Sequence, residues 1–334
     1  MNNTQFKSLP NFLSEGFCFL STFAVLLIYL LLQSVMWVLF AFISAALLGV
    51  YDVFKKISLN KNAVIPVLFL NVVFCCVIFL PLLIISFVAP DWIANTIFEM
   101  PPISSAQHAL LILKAAIVLS SWISAYFALK HLPITIASPI KATQPILTLI
   151  GALLIFGERL NLYQWLGVLV AIISFLLLSQ SGKKEGIHFA HNKWIFLMVI
   201  SIIMGTVSGL YDKFIMTQID RMNVQVWYNY YQLAMMAIIL LVFWFPKRKK
   251  TTPFHWNSAI PLIAVFLVAA DFFYYFALSD DSAMISIVSL VRRSSVVVSF
   301  SLGALYFKER NLKAKAIDLF LVLIGMLLIF MGSR

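Results

Sequence analysis

The chain has 334 residues, of which 62% are apolar and only 11% are charged, and its net charge is +11. A soluble domain carries roughly a quarter charged residues and could not bury this much apolar surface. This composition excludes a soluble enzyme, a nucleic-acid-binding module and a disulfide-stabilised secreted domain. One membrane span with its connection needs roughly 30 residues, so the length predicts about ten spans.

Continuous apolar runs, separated by Pro, Gly or charged clusters, predict the membrane-spanning segments. None of these runs alternates as a transmembrane β-strand would, and helices satisfy their own backbone hydrogen bonds in lipid. We therefore predict an all-α polytopic membrane protein. The ten predicted spans are residues 36–57, 63–88, 109–130, 134–156, 162–180, 193–217, 223–245, 258–279, 282–307 and 313–331.

A further apolar stretch at residues 17–34 precedes the first predicted span. Lys7 is its only preceding basic residue, and no clear small-x-small cleavage site follows, which argues against a cleaved signal peptide. Two interpretations stay open: an extra membrane helix, or an upstream extension of a native chain that begins at Met36. Residues 1–35 are accordingly treated as an N-terminal extension with a hydrophobic segment.

Three short motifs occur twice in the same order and indicate an internal repeat. Each copy contains five predicted helices, and because five is odd, the second copy crosses the membrane in the opposite sense. This pattern predicts two inverted repeats, residues 36–181 and 193–332. The matched motifs are Gly49-Val50-Tyr51-Asp52 with Gly209-Leu210-Tyr211-Asp212, Tyr126-Phe127-Ala128-Leu129 with Tyr275-Phe276-Ala277-Leu278, and Gly157-Glu158-Arg159 with Lys308-Glu309-Arg310.

Two five-helix repeats, each with a Glu-Arg turn before its last helix, resemble the EamA family of the drug/metabolite transporter superfamily. The resemblance covers residues 36–332. It implies a ten-helix secondary carrier that moves a small metabolite by alternating access, and it does not imply a particular substrate.

Lys and Arg concentrate in the connections after the odd-numbered spans, as in the run Lys247-Arg248-Lys249-Lys250. The positive-inside rule predicts that these connections face the cytoplasm. This orientation suits an extra helix at residues 17–34, and it departs from the family's usual arrangement, in which both ends of the ten-helix core are cytoplasmic. We expect a multi-pass protein of the cell (inner or plasma) membrane.

Basic side chains inside predicted spans are the strongest candidates for a binding site, because charge in a membrane is costly. Arg292 and Arg293 lie about ten residues into the ninth span, and Lys141 lies seven residues into the fourth. Both Lys141 and Arg292 precede the Glu of their turn by seventeen residues, so the repeat places them at equivalent positions.

These cations predict a pocket for an anionic metabolite, because guanidinium and ammonium groups bind carboxylates and phosphates. Counted against Asp271 in the eighth span, three deep cations leave two positive charges uncompensated. The alternative is that Asp271 pairs with one arginine while the other snorkels or binds backbone. Sugar-phosphate translocators of the same superfamily resemble this arrangement, with basic residues on their fourth and ninth helices, and the resemblance points to Lys141, Arg292 and Arg293.

Asp52 and Asp212 occupy matched positions near the ends of the first and sixth spans. Either carboxyl could bind a coupling proton. The alternative is a shallow interfacial pair, Asp52 with Lys55 or Lys56 and Asp212 beside Lys213.

Neutral polar and aromatic residues complete the predicted site, because ligand pockets combine apolar walls with a few polar groups. Pro139 and Pro145 bracket Lys141 and Gln144, and they predict a broken fourth helix beside a buried cation. The aromatic residues could equally belong to the aromatic belt at the membrane interface, and the amides could equally form hydrogen bonds between helices. The remaining candidate lining residues are Gln144, Tyr126, Tyr275, Asn71 and Tyr230, with Asn229 and Gln232 as further hydrogen-bonding groups.

The sequence thus predicts a secondary carrier whose partners are a small-molecule substrate and the lipid bilayer, without nucleic acid, cofactor or metal. The alternatives are an intramembrane enzyme and a non-transporting scaffold or receptor.

Overall fold

The computed structural model describes residues 36–37, 39–144, 146–147, 161–183, 189–279, 288, 291–307 and 312–332. In these ranges the regular structure is helical and contains no strand, which confirms the predicted all-α membrane fold. The N-terminal extension and the two Glu-Arg turns lie outside the described residues.

The helices, labelled α1 to α10 in chain order, follow the predicted spans, and most ends agree within a few residues. After its regular part, α7 continues through a π-helical turn, Leu240–Trp244, and a 3-10 turn, Phe245–Lys247. The bounds are α1, residues 39–59, α2 Val64–Val88, α3 Ser105–His131, α4 Ile134–Ala142, α5 Leu162–Lys183, α6 Lys193–Ile215, α7 Arg221–Ile239, α8 Ala259–Leu278, α9 Ser295–Phe307 and α10 Leu312–Gly332.

Several helices begin at residues whose side chains satisfy free backbone amides of the first turn. Ser104 and Gln107 form a reciprocal capping box at the start of α3. Asn192 caps α6 and Asp220 caps α7, each accepting a hydrogen bond from the amide two residues later. These caps set the starts of three helices that carry residues of the candidate site.

The principal helix contacts join the two repeats and follow an approximate two-fold relation. Helix α5 packs against α10, α4 against α9 and α2 against α7, while the α2–α8 contact is matched by α3–α7. The α3–α6 contact is matched by α1–α8, where Ser44 Oγ donates to the Ala270 carbonyl at 2.7 Å. A buried bond between the Ser138 and Ser299 hydroxyls, 2.9 Å long, joins α4 to α9. The two halves therefore share one interior.

Polar and apolar side chains are distributed as expected for a protein in lipid. Large apolar side chains such as Phe87, Leu241 and Phe243 are exposed on the outside of the helices. Asp212 and Asp271 are buried between the helices. Because no water is available in hydrocarbon to solvate a carboxylate, charged side chains face the interior and need partners there.

Gly49 marks a close approach between α1 and the start of α9. A β-carbon at Gly49 would lie 2.8 Å from the Ser295 carbonyl oxygen, inside normal van der Waals contact. Its repeat counterpart, Gly209 in α6, has no described atom within 4 Å of the same position. The repeat thus supplies a matched pair of glycines, one in a tight crossing and one in open space.

We expect Gly49→Ala to lower the thermal unfolding midpoint of the purified protein, because overpacking costs about 1–3 kcal/mol. Gly209→Ala should leave the midpoint unchanged or raise it, since alanine is the better helix former by about 1 kcal/mol. Equal midpoints for the two variants would show that the α1–α9 crossing is not tight.

Candidate functional site

Two matched interruptions shape the helices that carry the predicted cations. Regular α4 ends at Ala142, and Thr143 Oγ1 donates to the Ile140 carbonyl at 2.7 Å. Ser294, immediately before α9, donates from Oγ to the Val291 carbonyl at 2.6 Å. Thr143 and Ser294 occupy equivalent repeat positions, each two residues after Lys141 or Arg292. Each cation therefore lies beside a hydroxyl-stabilised turn rather than in a continuous helix.

Prolines account for only part of this geometry. Pro139 lies inside α4, whereas Pro145 lies outside the described residues. The ninth predicted span has no proline, so prolines alone do not give the two spans a symmetric interruption. The two hydroxyl side chains restore it, because they interrupt both helices at the same position.

Lys141 forms an ion pair with Asp52 of α1, which joins α4 to α1 within the first repeat. Lys55 lies one turn from Asp52, and its Nζ is 2.9 Å from Asp52 Oδ1. The Asp52–Lys55 pair is the helical pair considered as the alternative to a coupling role. Asp52 is buried and pairs with both lysines.

Arg292 forms an ion pair with Asp271 of α8, which is the pairing that the alternative interpretation predicted. The Tyr228 hydroxyl of α7 donates to the second oxygen, Oδ2, of Asp271 at 2.9 Å. The guanidinium carbon of Arg292 lies 3.8 Å from the centre of the Tyr274 ring. A carboxylate, a hydroxyl and an aromatic face therefore fix the orientation of Arg292.

Asp212 of α6 pairs with Lys114 of α3 across the two repeats. Lys114 replaces Lys213, the neighbour expected from the sequence, as the partner of Asp212. Lys114 Nζ also lies 5.1 Å from the ring centre of Tyr228 and 5.5 Å from that of Tyr275. The missed signal was a lysine within a predicted apolar span, where a charge marks a site or a pair.

Together these ion pairs form one electrostatically connected group. Arg293, the remaining predicted cation, is half-buried, and its charge interacts with those of Arg292, Lys141 and Asp52. The charges of Asp212, Arg292 and Asp271 also interact with one another. We call this group the charged cluster; its members are Asp52, Lys55, Lys114, Lys141, Asp212, Asp271, Arg292 and Arg293.

The charged cluster holds five cations and three carboxylates, which leaves a net charge of +2 when all groups are ionised. The count from the sequence compared three cations with Asp271 alone. The structure corrects the pairing, because Lys141 pairs with Asp52 and Arg292 pairs with Asp271. Their accessibility differs from that of their partners. The side chain of Lys141 is 24% exposed against 3% for Asp52, and that of Arg292 is 17% exposed against 9% for Asp271.

The predicted tyrosines either face a lysine of the charged cluster or lie in a contact between helices. Tyr126 is fully buried, with Lys55 Nζ 5.0 Å from its ring centre, and its repeat counterpart Tyr275 faces Lys114. Both matched tyrosines therefore contact a lysine of the charged cluster. Tyr230 donates its hydroxyl to the Cys76 carbonyl at 3.0 Å, which places that hydroxyl in the α2–α7 contact.

The predicted amides are buried within the bundle. The side chain of Gln144 packs against Gly205 of α6, where an added β-carbon would lie 3.1 Å from Gln144 Nε2. Asn71 of α2 is completely buried. Gln144 thus lies at a contact between the halves, three residues after Lys141.

An apolar groove lies between α1 and α9 and contains none of the predicted site residues. Its lining includes Phe54 and Ile57 from α1 and Leu305 and Tyr306 from α9. The groove is therefore separate from the charged cluster.

Comparison with known proteins gives a family and a fold. The sequence profile described as the EamA-like transporter family matches residues 35–180 and 192–331. A crystal structure described only as that of a protein aligns over 90% of this chain and 98% of its own, with a TM-score of 0.58 and 15% sequence identity. At that identity the likeness concerns the fold alone. The comparison with curated proteins gives no match.

Proposed function

Because the chain belongs to the EamA-like transporter family, whose members transport small molecules across membranes, we propose that its substrate is a small organic anion. The charged cluster binds this anion, and the two repeats move it across the inner or plasma membrane by alternating access. Family membership also favours a carrier over the alternatives of an intramembrane enzyme and a scaffold or receptor.

The net charge of +2 in the charged cluster is the observation that carries the proposal. Excess positive charge in a low-dielectric interior is unfavourable, and an entering carboxylate or phosphate relieves it. Lys141 and Arg292 are the paired cations with the more accessible side chains, so an anion can reach them without first separating the buried Lys114–Asp212 pair. Arg292 offers the planar, two-donor geometry that suits these anions.

Unequal pairing in the two repeats supports alternating access. In the first repeat Asp52 pairs with Lys141, whereas among the described residues the equivalent Asp212 and Arg292 pair with Lys114 and Asp271 instead. In an inverted-repeat carrier the halves exchange conformations between the two facing states. The opposite-facing state accordingly joins Asp212 to Arg292 and separates Asp52 from Lys141. Protonation of Asp52 or Asp212 would release a lysine and bias this exchange.

A thermal-shift screen of the purified chain tests the proposal. The ligands are small carboxylates and phosphate monoesters, with organic amines of similar size as controls. We expect one or more anions, and none of the amines, to raise the unfolding midpoint, because a ligand that binds only the folded state stabilises it. Stabilisation by amines alone would contradict an anion site.

Lys141→Met should reduce the anion-dependent shift and raise the apparent Kd about 30-fold or more, since a charged contact within a site is worth about 2–5 kcal/mol. Lys249→Met is the matched control, because it removes the same charge from an exposed position after α7. Equal loss of affinity in both variants would indicate a general effect of net charge rather than a contact with Lys141.

A further inference from the structure

Two completely buried carboxamides, Asn71 of α2 and Gln232 of α7, have no hydrogen-bond partner among the described residues. Both side chains are 0% exposed, and neither the oxygen nor the nitrogen of either amide is paired. Such amides can join neighbouring helices, but neither Asn71 nor Gln232 bonds to a helix that the structure describes. Four buried polar atoms therefore have no partner among the described residues.

The packing of α2 on α7 places the two amides at similar depth. The Tyr230 hydroxyl contacts the backbone at Cys76, and Phe79 packs in the same apolar cluster as Val226. From the first contact to the second, the residue number rises along α2 and falls along α7, so the two helices are antiparallel. On this register the two carboxamides lie within about one helical turn, roughly 5 Å, of each other along the bundle.

Gln232 also belongs to the side of α7 that faces the charged cluster. It lies four residues after Tyr228, so the two side chains project from the same helix face one turn apart. Tyr228 donates its hydroxyl to Asp271, the partner of Arg292. Gln232 is thus one helical turn along α7 from the tyrosine that hydrogen-bonds the partner of Arg292.

An unpaired buried amide costs free energy, and more so inside a membrane protein, where water is scarce. Native structures pair nearly all such groups, so two in adjacent helices need a partner from outside the chain. Each carboxamide offers both a donor and an acceptor. A neutral group that also donates and accepts, such as a hydroxyl or an amide, satisfies them.

We propose that Asn71 and Gln232 bind a neutral hydrogen-bonding group of the substrate while Arg292 holds its negative charge. The substrate is then an organic anion with a hydroxyl or amide near the charged group, rather than a plain aliphatic acid or ester. This inference rests on the proposed anion transport and adds a second recognition element to the same site.

Two matched pairs of probes test the inference by equilibrium binding to the purified full chain: malate with succinate, and glycerol 3-phosphate with propyl phosphate. In each pair only the first member carries free hydroxyl groups. We expect the wild type to bind the hydroxylated member of at least one pair at least tenfold more tightly. A ligand without the hydroxyl leaves the buried polar groups of the site unpaired, which lowers its affinity. Asn71→Leu and Gln232→Leu should reduce that ratio to about one, and Met236→Leu, a buried apolar control on α7, should keep it.

Unfolding of the same variants separates recognition from a structural role. Replacement of an unpaired amide by leucine should leave the thermal midpoint unchanged or raise it, because the desolvation cost disappears. A lowered midpoint in both leucine variants would overturn the inference in favour of structural amides. Equal binding of both members of each pair to the wild type would also overturn it while leaving anion transport intact, whereas failure of all four probes to bind would overturn both proposals.

Discussion

Arg292→Ala is expected to weaken binding of the transported anion about 100-fold or more and to reduce uptake accordingly. The Arg292 guanidinium is partly accessible, and its direction is fixed by Asp271, which Tyr228 holds in turn, and by the Tyr274 ring. Removal of a hydrogen-bonded charge from a binding site costs about 2–5 kcal/mol, or roughly 30- to 4,000-fold in affinity, and the two-donor geometry of Arg292 places its expected loss above the lower end of this range. Equilibrium binding to the purified protein and initial uptake rates in vesicles measure the effect.

The single variant also leaves Asp271 buried without its ion-pair partner, which endangers folding. Arg292→Met combined with Asp271→Asn removes both charges together, and the asparagine can still accept the Tyr228 hydrogen bond. We expect this double variant to keep the wild-type thermal midpoint within a few degrees and to bind the anion as weakly as Arg292→Ala. Wild-type affinity in the folded double variant would remove Arg292 from the site.

Lys114→Met is expected to have the largest effect on stability, lowering the free energy of unfolding by about 3–5 kcal/mol. Lys114 and Asp212 form a buried ion pair, with side chains 2% and 9% exposed, and they join α3 of one repeat to α6 of the other. Loss of the lysine leaves a buried carboxylate unpaired, which is costly in a low-dielectric interior. Denaturant or thermal unfolding of the purified protein measures the loss.

Lys114→Met with Asp212→Leu should restore most of the stability, because apolar side chains replace a buried ion pair at little cost. Lys61→Met is the control, since Lys61 is exposed after α1. If Lys114→Met unfolds at the same midpoint as Lys61→Met, the pair contributes nothing to the joining of the halves.

The helices could be predicted from the sequence because apolar runs of fixed length are a direct consequence of bilayer thickness. The ends of α2 and α6 were placed within about two residues of their observed bounds, and α3 only slightly less closely. The repeat also placed Lys141 and Arg292 at equivalent positions, and the equivalent hydroxyls of Thr143 and Ser294 follow them.

The pairing of the charges could not be derived in the same way, because it depends on how the helices cross. Asp212 and Lys114 are 98 residues apart in the chain and meet through the α3–α6 contact between repeats. Local reasoning therefore offered the sequence neighbour Lys213 instead. The accessible surface that remains on Lys141 and Arg292 is likewise a property of the packed bundle.

The sequence identified the two unpaired amides as candidate residues, but it did not predict that they belong to one site. Asn71 and Gln232 were candidates for hydrogen bonds either to a ligand or between helices. Which of these applies depends on the partners within reach, and in the described part of the chain neither amide has a hydrogen-bond partner. Burial without a partner is the feature that sequence patterns do not encode.

Counterflow in sealed vesicles tests the central claim, that the charged cluster carries an anion across the membrane, most directly. Vesicles containing the protein are loaded with an anion from the binding screen, and uptake of the labelled anion is followed with and without this internal load. The account predicts saturable uptake that the load accelerates in the wild type and that the double variant Arg292→Met, Asp271→Asn abolishes. Uptake equal to that of protein-free vesicles, or unaffected by that double variant, would contradict it.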